Sequence, residues 1–169
     1  MQWVTRERPK IDRIACPWLI RRFIESDAVI RYVAPDQVLF VAQQDGAIPF
    51  DIPGVELTHR GPLCSFDAFL DKYDLDDPAL LALAKIVRAA DTDTLQDSAQ
   101  APGLLAISLG LCANIRDDQE LLAAGMVVYD AMFTWCRTLR SERHGWDQPV
   151  PQQDNLGIHK QVRGAGNER

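Results

Sequence analysis

No apolar run in this 169-residue chain approaches the roughly 20 residues that cross a bilayer, so no helical membrane span is expected. The opening residues, Met1 to Arg8, lack the basic-then-apolar order of a secretory signal, which predicts a cytoplasmic protein. Cysteine is sparse. Cys16, Cys64, Cys112 and Cys136 stand far apart with no C-x-x-C pair, which argues against a disulfide framework and a cysteine-only zinc site. No G-x-x-x-x-G-K-[ST], G-x-G-x-x-G or G-x-S-x-G occurs, so no nucleotide cofactor and no nucleophile elbow are expected. A basic excess is missing as well. The 18 Lys and Arg face 24 Asp and Glu, and the net charge of −6 disfavours direct nucleic-acid binding.

What is present is enough for one domain with a proper core, at 47% hydrophobic residues. Trp3-Val4 is short and β-prone, and Val29–Val33 reads as a strand rich in β-branched residues. Between them the apolar residues from Ile14 to Ile24 follow a helical period, with Pro17 placing the regular start near Cys16-Pro17. Asp36 to Gln44 is a short helix, and Ala47 to Gly54 is a strand end breaking into a turn. Val55 to His59 alternates like another strand. Ser65 is placed to cap a helix running to about Tyr73, and Asp77-Pro78 starts a helix that ends at Asp91. Leu104 to Cys112 is apolar nearly all round, which predicts a buried helix. Leu121, Leu122, Gly125, Val128, Tyr129, Met132, Phe133 and Cys136 mark the last one. The expected fold is α/β or α+β and helix-rich, with a small sheet from the N-terminal half and long helices in the C-terminal half. Residues 1–143 form the domain, and the Gly/Pro/Gln-rich stretch 144–169 reads as a flexible polar tail. The last helix offers a face for homo-oligomer formation.

His59 is the one histidine in the predicted globular body, since His144 and His159 fall in the tail. Asp51 lies across a Pro-Gly turn from it, and Cys64 and Asp67 follow a tight loop. Imidazole, carboxylate and thiolate are the ligands of a zinc-, iron- or manganese-type ion. Asp91 and Asp93 add carboxylates at a helix C-terminus, where the macrodipole disfavours negative charge unless a cation lies opposite. The candidate metal ligands are therefore Asp51, His59, Cys64, Asp67, Asp91 and Asp93. A second chemistry rests on arginine, whose planar fork suits tetrahedral oxyanions. Arg13, Arg21 and Arg60 are the candidates, although Arg21 and Arg22 diverge by about 100° on a helix, so at most one faces a given site. Asp12 at the entry of the first helix reads as a cap, and Cys16 as either a packed core thiol or a reactive one near a helix N-terminus. Both are retained as catalytic candidates.

Three stretches carry a family resemblance. They run from Trp3 to Ile24 (with Lys10-Ile-Asp-Arg-Ile-Ala-Cys-Pro-Trp18 at the centre), from Ala47 to Asp67 (with Thr58-His-Arg-Gly-Pro-Leu-Cys64), and from Ile86 to Asp93. In this order they resemble the chromate-resistance protein family, in particular the C-terminal domain of ChrB-type proteins. The resemblance implies a part in chromate resistance or in chromate-responsive control of an efflux operon. Longer members carry an additional N-terminal region to which regulation is attributed; here the first motif starts at residue 3, so a stand-alone domain is expected. A weaker likeness, to DHH-type metal-dependent phosphoesterases, covers Asp12, Asp51, His59 and Asp91, without the Asp-His-His triplet of those enzymes. Three readings follow: a chromate-response domain binding a metal ion or an oxyanion, an enzyme, or a helical interaction module. The enzyme would be a metal-dependent hydrolase, or a thiol-assisted chromate reductase using Cys16 or Cys64.

Overall fold

The computed structural model describes residues 1–142; the polar tail read at 144–169 lies outside the described residues. β1 (Gln2–Arg6) is the middle strand of a parallel three-stranded sheet in the order β2-β1-β3. β2 (Val29–Val33) pairs with it in the register Trp3↔Ile30, and β3 (Ile48–Pro49) pairs as Trp3↔Ile48. Side chains alternate across a strand, so Trp3 and Val4 face opposite sides. Trp3 enters the main core, with its ring 5.6 Å from Phe69, while Val4 packs with Val38, Ala47 and Ile52 under α2 (Val38–Asp45). Both faces are covered, as a parallel sheet requires.

α1 (Ile11–Leu19) crosses from β1 to β2 and starts at Ile11, upstream of the expected Cys16-Pro17. Pro17 sits inside it. A proline there has no N–H for the carbonyl four residues back, which belongs to Arg13. The Tyr32 hydroxyl on β2 donates to that carbonyl at 2.7 Å, so a tertiary partner replaces the missing helical bond. The helix then widens into an i→i+5 turn over Ile20–Ile24.

Val55 to His59 does not form the expected strand. Only a single bridge, Phe50 with Leu57, joins it to the chain beyond β3, and Pro49 and Pro53 carry no N–H to continue a ladder. His59 therefore stands on a loop. In α3 (Ser65–Lys72) the cap position falls to Cys64, whose N–H bonds the Asp67 carboxylate at 3.0 Å, and Ser65 becomes the first helical residue. α4 (Pro78–Asp91) begins as expected, with the Asp77 carboxylate accepting from the Ala79 N–H at 2.7 Å.

α5 (Ala101–Asn114) departs from its expected burial. Ala101, Leu104 and Cys112 are buried, but Ile107 and Leu109 are 49% and 46% exposed. It packs on α4 and on α6 (Asp118–Thr134) from one side, and among the described residues nothing covers the other. α6 turns Leu121, Leu122, Tyr129 and Phe133 inward, as its periodicity predicts. Among the described residues no helix is long and apolar enough to cross a membrane.

Candidate metal centre

Three carboxylates from three parts of the chain converge on one imidazole nitrogen. His59 Nε2 lies 3.0 Å from Asp91 Oδ2, 3.5 Å from Asp12 Oδ2 and 3.5 Å from Asp51 Oδ1. Asp12 comes from the first turn of α1, Asp51 from the turn after β3, and Asp91 is the last residue of α4. Asp91 is tolerated at that helix end because it faces the N-terminus of α1, accepting from the Asp12 N–H at 3.3 Å. Asp12 does not cap its own helix. Its Oδ2 accepts from the Ser65 N–H at 2.6 Å, at the start of α3. Asp51 adopts φ +54, a left-handed conformation that Asp accepts more readily than most residues, and its N–H is anchored to the Leu57 carbonyl. Its carboxylate then meets the Ser65 hydroxyl (2.7 Å), Arg6 Nη2 (2.9 Å) and Arg13 Nε (3.4 Å).

Burial makes this concentration of charge costly. Asp12 is 1% exposed and Asp51 5%, whereas the His59 side chain is 41% exposed and opens the cluster to solvent. Burial, with Asp51 adding repulsion, pushes the Asp12 carboxyl up against the pull of His59. Burial and the charges of Asp12 and Asp51 raise Asp91 to about 7. His59 rises to about 9, chiefly through its interaction with Asp12 and against its own partial burial. Asp91 is the nearer carboxylate, but Asp12 is the more deeply desolvated, and a desolvated charge pulls harder. Within the cluster, Asp12 Oδ1 is buried and has no hydrogen-bond partner among the described residues. An ionised carboxylate oxygen buried in that state is costly unless a cation meets it.

Asp12, His59 and Asp91 each offer a donor atom, all within 4.8 Å of one another. Donors on a tetrahedral ion at about 2.1 Å stand about 3.4 Å apart, so the cluster needs only small side-chain shifts to hold one. Two carboxylates and an imidazole suit a zinc-, iron- or manganese-type ion.

The remaining sequence candidates divide. Arg13 lies at the site but is engaged, donating to the Glu7 carbonyl at 2.8 Å as well as facing Asp51. Arg21 bonds the Ala28 carbonyl, and Arg60 bonds the Glu56 carbonyl and faces Asp71, so neither reaches the cluster. Cys64 is buried with its thiol on Asp67, and Asp67 is paired with Arg88. Neither belongs to the three-donor group. Asp93, with φ +58, falls in the turn after α4 and is exposed, also outside that group. Cys16 is buried in mid-helix, not at a helix N-terminus, and burial followed by the charges of Asp12 and Asp51 holds its thiol well above the usual range. Burial does the same for Cys64. Both thiols are kept protonated, the reverse of what a reducing or nucleophilic thiolate needs. Sequence reasoning missed Arg6 and the Ser65 hydroxyl as supports of Asp51. Arg6 stands among Arg8, Lys10 and Arg13 in the sequence, and nothing local marks it as the partner of a carboxylate 45 residues on.

No solved structure gives a significant match to this chain. Protein ChrB of Cupriavidus metallidurans is 33% identical over 134 residues, which is 79% of this chain and 40% of that protein. The chain thus spans less than half the length of the relative. The family described as ChrB, C-terminal domain, matches residues 3–136, a span holding every residue of the cluster, and the chain belongs to that family.

Proposed function

We propose that this chain is a metal-binding domain of the chromate-resistance response, in which Asp12, His59 and Asp91 hold a divalent or trivalent transition-metal ion. Asp51, clamped by Ser65, Arg6 and Arg13, borders the ion and orients the donors around it. The observation that carries this reading is the convergence of buried carboxylates on a solvent-open imidazole, with one buried oxygen of Asp12 left without a partner among the described residues. Family membership supports the chromate context. A cation entering the cluster takes the place of the His59 proton, so metal uptake releases protons.

Elemental analysis of the chain purified without chelator, beside His59→Ala, tests it. The expected result is near-stoichiometric zinc, iron or manganese in the parent and loss of that metal in a variant that melts normally. A metal-free parent that also takes up none of the three on dialysis refutes the reading.

A second reading, hydrolysis of a phosphoester by metal-activated water, is favoured by the position of Asp12. It joins Asp51, His59 and Asp91 at one point, so the four residues similar to the DHH layout do meet. Manganese-loaded protein that releases no nitrophenol from bis(p-nitrophenyl) phosphate above background rejects this reading and leaves metal binding intact.

A further inference from the structure

Most lysines and arginines among the described residues face a carboxylate, but Lys85 and Arg140 have neither an ion-pair nor a hydrogen-bond partner among those residues. Tryptophan divides the same way. Trp3 and Trp18 donate their indole N–H to Glu25 and Asp130 and pair with other rings. Trp135 is half-buried against the core and has neither kind of partner among the described residues. Lys85, Arg140 and Trp135 all line one cavity of about 250 Å³, which shares no residue with the metal centre.

Three elements build this cavity. α4 supplies Lys85 and the buried Ile86. α6 runs on into an i→i+5 turn over Trp135–Leu139, an irregularity that recurs at functional sites, and the turn carries Trp135 and leads to Arg140. The third side comes from the single turn Leu95–Asp97 and the residues before α5, with Asp97 and Gln100. The Gln100 side chain does not cap α5, so its carboxamide is not committed to that helix.

Size and chemistry select the ligand. A volume of about 250 Å³ falls just under the roughly 300 Å³ at which pockets for drug-sized ligands begin, which suits a single ring with one acidic group. An inorganic anion uses the two cations and leaves Trp135 idle, and an apolar molecule does the reverse. A ring stacked on the indole, with an acidic group reaching both cations, uses all three. Lys85 and Arg140 against Asp97 leave one net positive charge, which matches a carboxylate rather than a dianionic group. This local balance opposes the net charge of −6 on the whole chain. Asp97 also offers an acceptor to a ring hydroxyl.

We propose that the cavity between α4, the end of α6 and the start of α5 binds a small aromatic carboxylate, its ring on Trp135 and its carboxylate between Lys85 and Arg140. Neither the cavity nor its ligand depends on the metal reading.

Titration of the full ¹⁵N-labelled chain with sodium benzoate and sodium 4-hydroxybenzoate, followed through the indole N–H resonances, tests this. The chain has four tryptophans, and Trp135→Phe identifies the resonance of Trp135. The expected result is a saturable shift of that resonance, with a Kd of about 1 mM or below for at least one of the two acids. Lys85 and Arg140 are exposed, so Lys85→Gln and Arg140→Gln leave the core untouched. Each is expected to weaken binding about 3-fold or more, and cyclohexanecarboxylate, which has no aromatic ring, to bind weaker than benzoate by a similar factor. No shift with either acid up to about 10 mM, or a shift confined to other tryptophans, overturns the site. Parental affinity in both charge variants overturns the role of the cations, and equal affinity for cyclohexanecarboxylate overturns stacking on Trp135.

Discussion

Asp130 illustrates how a single carboxylate acquires its properties from neighbours distant in the chain. Trp18 Nε1 donates to it at 2.8 Å, and Arg22 grips it with Nε at 2.8 Å and Nη2 at 2.7 Å. Partial burial opposes ionisation, but the hydrogen bonds from Arg22 and Trp18 outweigh it and hold the carboxyl below the usual aspartate value. A depressed carboxyl contributes stability that is present above the unfolded value near 3.9 and lost as pH falls through the folded value. Asp130→Asn is accordingly expected to cost about 1–2 kcal/mol at neutral pH. The gap between parent and variant should close below about pH 4, which thermal melts across pH read directly. A gap that persists undiminished at pH 3 means the ion pair is not its source. The residues of the metal centre obey the same electrostatics with the opposite outcome. There the like charges of Asp12, Asp51 and Asp91 are crowded together, and His59 rises to about 9 in response.

At the scale of elements, the molecule depends on α1 lying close to everything it touches. It carries Asp12 to the cluster, buries Trp18 against Phe66 and Phe133, and meets α6 at a point where no side chain fits. A Cβ on Gly125 would overlap Ile14 Cγ2, whose position α1 fixes. Gly125→Ala gains helix propensity, but the overlap dominates, and a net loss of about 1–3 kcal/mol is expected in chemical denaturation. A neutral or stabilising result shows that the two helices separate without strain. Because Ile14 and Asp12 share the first turns of α1, the same variant reports on how firmly the metal ligand is held. The periodicity of α1, α4 and α6 was legible, as was the Asp77 cap of α4, whereas the caps expected of Asp12 and Ser65 were not formed. Pro17 inside α1 was not, because the Tyr32 hydroxyl that compensates it lies on another strand. α5 misled for a related reason. Its apolar composition tells of affinity for a core, but whether a core surrounds it depends on how many elements the rest of the fold sends there.

For the whole molecule, the order β2-β1-β3 settles the matter of the site. It brings the end of β1 and the turn after β3 side by side, with the N-termini of α1 and α3 pointing into the same crevice. Asp91 arrives from α4, 79 residues from Asp12 in sequence, and no local pattern links the two. His59, Asp51 and Asp91 were readable as candidates because histidine is rare in the chain and carboxylates stood at turns and a helix end. Cys64, Asp67 and Asp93 had the same standing by residue type. What the amino-acid order determines by itself is most of the helices and strands (Val55 to His59 excepted), the residues capable of metal or anion chemistry, and the family motifs, since these rest on local periodicity and side-chain chemistry. What only the tertiary structure decides is which of those residues share a space. Asp67 finds Arg88 and is satisfied, Arg21 finds a carbonyl, and Asp12 is left buried beside His59 with an oxygen that has no partner among the described residues. Those outcomes depend on distances between segments far apart in the chain, and the packing of the core sets them.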